Sequence, residues 1–208
     1  MKYRYDNAQA AIDDLEKRFP VSKEHHKASL EIQKSKEFFV FCYFLRTNDP
    51  LISGLIEIEY IGDQEGFPDC ILCVDGTKYF VEVAEMTNED DQKIYQKKLE
   101  FDDSVKGTFN FTAIVKKAIE KKNCKYKQYI RRTGINKSIL LLYNNTTEPM
   151  VFESSLFDND LKIEEIKSYF DYTFLLSPNA DIGYGKTVSY RKISSFSPDP
   201  AMRFAYAG

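Results

Sequence analysis

The dipeptide Asp75-Gly76 constrains the fold more than any other feature of this sequence. It lies between two apolar runs, CILCV (70–74) and KYFVEVA (78–84). Asp-Gly between such runs is the typical turn of a two-residue β-hairpin. A two-residue turn fixes the register, because it determines every pair of residues outward from it. Counted in this way, Asp69 stands opposite Glu82.

The opposed acids Asp69 and Glu82 predict a metal site. Directly opposed residues in a hairpin have Cβ atoms about 4.5–5.5 Å apart, so the two carboxylates repel each other. A divalent cation between them removes the repulsion, and Mg²⁺ or Mn²⁺ is suited to carboxylate oxygens. The alternative is a solvent-exposed acid pair at a sheet end. Phe80, Val81 and Val83 argue against that alternative, since they make the strand apolar on both faces.

The rest of the sequence predicts an α/β (α+β) fold with a central mixed β-sheet flanked by helices. Helical patterns cover 7–19, 22–47, 111–131 and 161–170, and strand patterns cover 55–61, 70–74, 78–84, 138–144, 172–177 and 187–193. Residues 1–208 are interpreted as a single domain. It consists of a core over 22–144, the N-terminal helix, and a C-terminal α-β-β elaboration over 145–208.

Charge and cysteine usage narrow the class of protein. The net charge of −3 does not suggest a general basic coat for nucleic acid, although residues 116–132 contain eight Lys or Arg and one Glu. The four cysteines form no spaced framework, and the N-terminus has no apolar signal segment. The apolar run Phe38–Leu45 is too short to span a bilayer. These features predict a reduced, cytoplasmic protein with no membrane partner.

The order Pro68-Asp69, hairpin, Glu82-Val83-Ala84 resembles the PD-(D/E)XK superfamily, which has the restriction-endonuclease-like fold. Its α-β-β-β-α-β core corresponds to residues 22–144. The resemblance implies that Asp69, Glu82 and the Val83 carbonyl bind Mg²⁺ or Mn²⁺. It also implies a helper Glu on the first core helix. Glu37 is the first choice, because it precedes a buried stripe of that helix, and Glu31 is the second.

The sequence departs from this family at Ala84, where the motif has a lysine. That lysine normally orients or activates the attacking water, and some members supply it from the following helix. Lys122 is the best candidate, since its spacing from Ala118 and Ile119 places it on the apolar side of the helix. Lys121 is the second candidate. The alternative is that both lysines belong to a solvated face.

The resemblance therefore implies a metal-dependent nuclease that hydrolyses phosphodiester bonds, with DNA favoured over RNA, in defence or mobile-element biology. The alternative is a catalytically inactive binding or assembly subunit that kept the fold. The modest negative charge suggests that a homodimer or a protein partner directs the protein to its nucleic acid.

Other patterns carry less weight. Residues 180–187 fit a relaxed phosphate-binding loop, but the segment that follows is β-branched and Ser-rich instead of helical. Cys70 and Cys73 have no second Cys or His pair near them in the sequence, so buried small residues are the preferred interpretation. Glu57 and Glu59 share one strand face and could extend the acid cluster, although such alternation more often marks a polar face.

Overall fold

A computed structural model describes residues 2–18, 30–61, 64–86, 111–144, 166–178 and 188–194. The strands are β1 (Lys2–Tyr5), β2 (Ile56–Tyr60), β3 (Cys70–Val74), β4 (Thr77–Met86), β5 (Ser138–Asn144), β6 (Tyr172–Pro178) and β7 (Val188–Ser194). The helices are α1 (Ala8–Arg18), α2 (Leu30–Arg46) and α3 (Phe111–Thr133), with a short 3₁₀ turn at Pro50–Ile52.

The strands form one mixed sheet in the order β1-β2-β3-β4-β5-β6-β7. The pairs from β1 to β4 are antiparallel, β4-β5 and β5-β6 are parallel, and β6-β7 is antiparallel. The predicted fold class, a central mixed sheet with helices, is confirmed. The sequence α2-β2-β3-β4-α3-β5 gives the expected α-β-β-β-α-β order.

The β3-β4 hairpin has the predicted register. Five of the six pairs counted from the turn are present, from Val74 with Thr77 to Cys70 with Val81, whereas Asp69 precedes β3 and forms no ladder pair with Glu82. Asp75 has φ 46° and Gly76 has φ 81°. Positive φ at both central residues is the mark of a type I′ turn, whose twist matches that of the flanking strands.

Apolar clusters cover both faces of the sheet, and β5 contributes to each of them. Ile139 and Leu141 belong to the cluster that includes α1 and the second half of α2, whereas Leu140 and Leu142 belong to the cluster under α3. All seven residues of β5 are buried. A parallel strand covered on both faces has a continuous apolar sequence, which explains the run SILLLYN.

The structure differs from the sequence prediction in two elements. The prediction missed β1, which pairs with β2 at the edge of the sheet. The predicted helix over 161–170 is wrong at 166–170, which are not helical. There the Asn123 side chain donates to the Lys167 carbonyl (2.8 Å) and accepts from the Tyr169 N–H (2.9 Å). These bonds replace those that a helix would make internally.

Some predicted features lie outside the described residues. They are the start of the second helix (22–29), the first part of the predicted helix over 161–170, and the glycine-containing loop at 180–187. Within the described residues, no helix combines the length and apolar character needed to cross a bilayer.

Candidate active site

Glu82 is the central residue of the site. It lies on β4, beneath α3, and its residue exposure is only 2%. Its Oε1 accepts hydrogen bonds from the Lys122 ammonium and from the Tyr129 hydroxyl, the latter at 2.8 Å. Its Oε2 is also buried and has no hydrogen-bond partner among the described residues. The exposed acid pair considered from the sequence is therefore excluded for Glu82.

Helix α3 presents Lys122 to the sheet and Lys121 to solvent. Val115, Ile119 and Tyr129 are buried, and Lys122 falls on the same face at spacings of seven, three and seven residues from them. The Lys122 side chain is 15% exposed, and it forms an ion pair with Glu82. Lys121, one residue earlier, is exposed. Of the two lysines named from the sequence, the structure brings Lys122 to the acids.

Asp69 is held beside Glu82 at the point where the chain enters β3. Its Oδ2 accepts a hydrogen bond from the Val83 N–H at 2.7 Å, and its carbonyl accepts from the Ile61 N–H at 3.3 Å. Burial raises the pKa of the Asp69 carboxyl well above its usual value, and the negative charges of Glu82 and Glu37 raise it further. A buried carboxyl that is close to other acids takes up a proton readily in the absence of a cation.

Glu37 approaches the same region from α2. Its Oε2 accepts a hydrogen bond from the Tyr60 hydroxyl at 3.0 Å, and the Tyr60 ring packs on Phe38 with centroids 4.9 Å apart. The negative charge of Glu37 raises the pKa of the Asp69 carboxyl, so Glu37 lies near Asp69. The side chain of Glu31 lies outside the described residues.

Ala84 occupies the position of the motif lysine and is buried, with 6% exposure. It belongs to the apolar cluster that contains Phe80 and Ile119, on the face of the sheet covered by α3. Glu82 lies between Phe80 and Ala84 on the same face, because side chains alternate along a strand. The ammonium that contacts Glu82 comes instead from α3, through Lys122.

The oxygens around Glu82 fit a hard divalent cation in chemical type. Glu82 offers the unpartnered Oε2, and Asp69 has a second carboxylate oxygen besides the one bonded to Val83. Within the described residues, no group of three or more His, Cys, Asp or Glu is arranged to hold a metal ion. A site with two carboxylates is the usual form for Mg²⁺, which keeps several waters of its own.

Tyr129 is a site residue that the sequence analysis missed. It is 1% exposed, and its ring contacts Phe80 edge-on with centroids 5.8 Å apart. The negative charge of Glu82 and burial both raise the pKa of its hydroxyl, with burial the larger cause. A signal was present, because Tyr129 follows Lys122 by seven residues and so shares its helix face.

Cys70 lies in the buried region beside the acids, where its thiol is held in the protonated form. Burial raises the pKa of its thiol, and the neighbouring charges of Asp69 and Glu37 raise it further. A protonated thiol is inert as a nucleophile and as a metal ligand. Cys70 and Cys73 are both free and buried, as expected from the sequence.

Glu57 and Glu59 do not extend the acid cluster. Glu57 pairs with Lys2 of β1 at 2.9 Å, and its second oxygen lies 3.7 Å from the Arg4 side chain. Glu59 is exposed. The polar-face interpretation of this alternation is the correct one.

The loop that leads to Asp69 rests on the C-terminal half of α3. Gly66 packs so closely on the Gln128 side chain that a Cβ at this position would overlap the amide. The guanidinium of Arg132 lies 5.7 Å from the centre of the Phe67 ring. Three exposed basic residues share this helix face with Gln128. We call Lys121, Lys125 and Arg132 the basic stripe.

Comparisons with protein-family models, with curated proteins and with solved structures found no match to this chain.

Proposed function

We propose that this chain is a Mg²⁺- or Mn²⁺-dependent nuclease that hydrolyses phosphodiester bonds. The observation that carries the proposal is the environment of Glu82. One carboxylate oxygen binds Lys122 and Tyr129, and the other is buried without a partner beside Asp69. Membership of the PD-(D/E)XK superfamily is part of the same proposal, supported by the α-β-β-β-α-β order and by the position of the two acids at the β3-β4 hairpin.

In this proposal Asp69 and Glu82 hold the cation, with the Val83 carbonyl as a further ligand and Glu37 in support. The Val83 N–H fixes one oxygen of Asp69, which leaves the other for the cation. When bound, the cation polarises the phosphodiester and lowers the pKa of the attacking water. Lys122 orients this water and offsets the negative charge that develops on the phosphate.

The basic stripe supports a nucleic acid as the substrate. Arg132 of the stripe lies over Phe67 in the loop that leads to Asp69, so a phosphate backbone bound along this face of α3 would pass that loop. Contacts of Lys and Arg with phosphates supply most of the sequence-independent affinity of such proteins. We propose DNA in preference to RNA.

We further propose that the protein acts in the cytoplasm, in defence or in mobile-element biology. The net charge of −3 is unfavourable for binding nucleic acid over the whole surface. A homodimer or a protein partner would supply the remaining contacts. Sizing of the protein in solution, alone and with DNA, tests this part of the proposal.

The decisive experiment is a cleavage assay on single- and double-stranded DNA and RNA, with Mg²⁺, Mn²⁺ or EDTA. We expect cleavage only with a divalent cation, and its loss in Asp69→Asn and Glu82→Gln. These substitutions keep the side-chain shape and remove the charge. Glu59→Gln is the matched control, because Glu59 is exposed and outside the site. Activity that survived both site substitutions would refute the proposed site.

The second candidate is a catalytically inactive binding or assembly subunit. The buried Ala84 in place of the motif lysine favours it. This candidate predicts nucleic-acid binding without cleavage under any of the metal conditions, with binding unaffected by Glu82→Gln.

A further inference from the structure

The two carboxylate oxygens of Glu82 have different environments, because Tyr129 and Lys122 contact only one of them. Both donors bind Oε1, so this oxygen is saturated. Oε2 has no partner among the described residues although it is fully buried. A buried carboxylate oxygen without a partner is costly, and native structures keep such atoms for a ligand, an ion or an ordered water. The asymmetry indicates which oxygen faces a cation.

The two donors act on Glu82 in different ways. Lys122 carries a positive charge, and its removal changes the electrostatic potential of the whole site. The Tyr129 hydroxyl is neutral, as a tyrosine hydroxyl ordinarily is at physiological pH. Its ring is fixed against Phe80, so the hydroxyl has a set position. A neutral donor in a fixed position can restrain the rotation of the Glu82 carboxylate without altering its charge.

We propose that Tyr129 is a positioning residue that fixes the rotamer of Glu82 and directs Oε2 to the bound cation. This inference rests on the proposed metal site and adds a residue that the sequence resemblance did not supply. Hydrogen bonds to a metal-binding carboxylate orient the ligand, and their loss typically weakens metal affinity by roughly 10- to 100-fold.

The test is a titration of the full chain with Mn²⁺, monitored by calorimetry or by the electron paramagnetic resonance of free Mn²⁺. Tyr129→Phe removes the hydroxyl and keeps the ring on Phe80. Tyr126→Phe is the matched control, because Tyr126 lies one turn earlier on α3 and its ring also contacts Phe80, at 5.6 Å. Thermal unfolding checks that both variants fold like the wild type.

We expect Tyr129→Phe to weaken Mn²⁺ binding by roughly 10-fold or more, and Tyr126→Phe to leave it unchanged. Cleavage by Tyr129→Phe should recover as the Mn²⁺ concentration rises, which a general structural defect would not do. Equal affinities for the two variants would refute the role of Tyr129 and leave the metal site intact. Absence of Mn²⁺ binding in the wild type, or binding unaffected by Glu82→Gln, would refute the metal site and the inference together.

Discussion

The buried Glu82 carboxylate and the mostly buried Lys122 ammonium form an ion pair, and the Tyr129 hydroxyl contacts the same carboxylate. Lys122 is 15% exposed and Glu82 is 2% exposed at the side chain. Removal of one partner from such a pair leaves an uncompensated charge and costs about 3–5 kcal/mol. Lys122 is therefore important for stability as well as for the proposed chemistry, and the two effects must be measured separately.

Replacement of Lys122 and Lys121 by methionine should have different kinetic effects. We expect Lys122→Met to lower kcat by roughly 100-fold or more, because the charge that stabilises the transition state is lost. Lys121→Met should raise KM and keep kcat, because Lys121 is exposed and would contact only the phosphate backbone. Steady-state cleavage kinetics, well below the unfolding temperature of each variant, measure the two constants. Similar losses of kcat in both variants would contradict the assignment of Lys122.

The raised pKa of Asp69 gives the metal-free protein a distinctive pH dependence. Between the unfolded pKa of Asp, about 3.9, and the raised folded value, the folded state binds the extra proton. Stability is therefore fully present at acidic pH and is lost as the pH rises through the folded pKa, by up to about 1.4 kcal/mol per pH unit.

Urea denaturation in EDTA at several pH values measures this dependence. We expect Asp69→Asn to flatten the slope, because its side chain does not titrate. The Glu59→Gln variant should keep the wild-type slope. A wild-type protein that gained stability throughout this pH range would contradict the assignment of Asp69 as the titrating group.

At the scale of single elements, α3 has two functional faces. Its buried face presents Lys122 and Tyr129 to Glu82, and the adjacent exposed face contains the basic stripe. The packing of Gly66 on Gln128 fixes the second face relative to the loop before Asp69. One helix therefore positions both the proposed catalytic cation and the proposed substrate contacts.

Lys125→Ala tests the basic stripe without disturbing the ion pair at Glu82. We expect weaker DNA binding. The slope of log Kd against the logarithm of the salt concentration should fall by about 1, the value for one lost phosphate contact. The kcat value should stay at the wild-type level. Lys116→Ala is the control, since Lys116 is exposed on another face of α3. Fluorescence anisotropy with labelled DNA at several salt concentrations provides the measurement, and an unchanged slope would remove Lys125 from the interface.

The elements that the sequence predicted are those set by local chemistry. The Asp75-Gly76 turn determines the register of β3 and β4 by itself, so the neighbouring positions of Asp69 and Glu82 could be predicted. The first strand could not be predicted, because Lys2–Tyr5 is short and its partner Ile56–Tyr60 is distant in sequence. The contact of Tyr129 with Glu82 depends on how α3 is rotated above β4, which the helix pattern restricts and only the packed structure determines.

At the scale of the whole molecule, the sheet separates two apolar clusters. Phe44 of α2 belongs to the cluster on the face away from α3, with no exposure, and its ring lies 4.8 Å from that of Phe174 on β6. This contact joins the first core helix to the C-terminal part of the sheet. The elements that extend the α-β-β-β-α-β core therefore share its hydrophobic interior.

Phe44→Ala should lower the free energy of unfolding by about 3–5 kcal/mol, since it leaves a large cavity in this cluster. Phe44→Leu should lower it less, because more of the volume remains filled. Both variants should keep metal-dependent cleavage at temperatures where they are folded, because Glu82 contacts α3 on the opposite face of the sheet. Denaturant unfolding, together with the cleavage assay, checks both expectations. A loss of activity in folded Phe44→Leu would show that the two faces are coupled.

The buried position of Ala84 has a consequence for how relatives of this chain can be found. A lysine side chain at 84 would enter the apolar cluster with Phe80 and Ile119, so the lysine of the motif that this segment resembles is disfavoured there. The Lys122 ammonium is 40 residues after Glu82 along the chain, yet it binds the Glu82 carboxylate. A search pattern that requires a lysine two positions after the acid misses such chains. One that accepts a lysine on the sheet-facing side of the next helix would retrieve them.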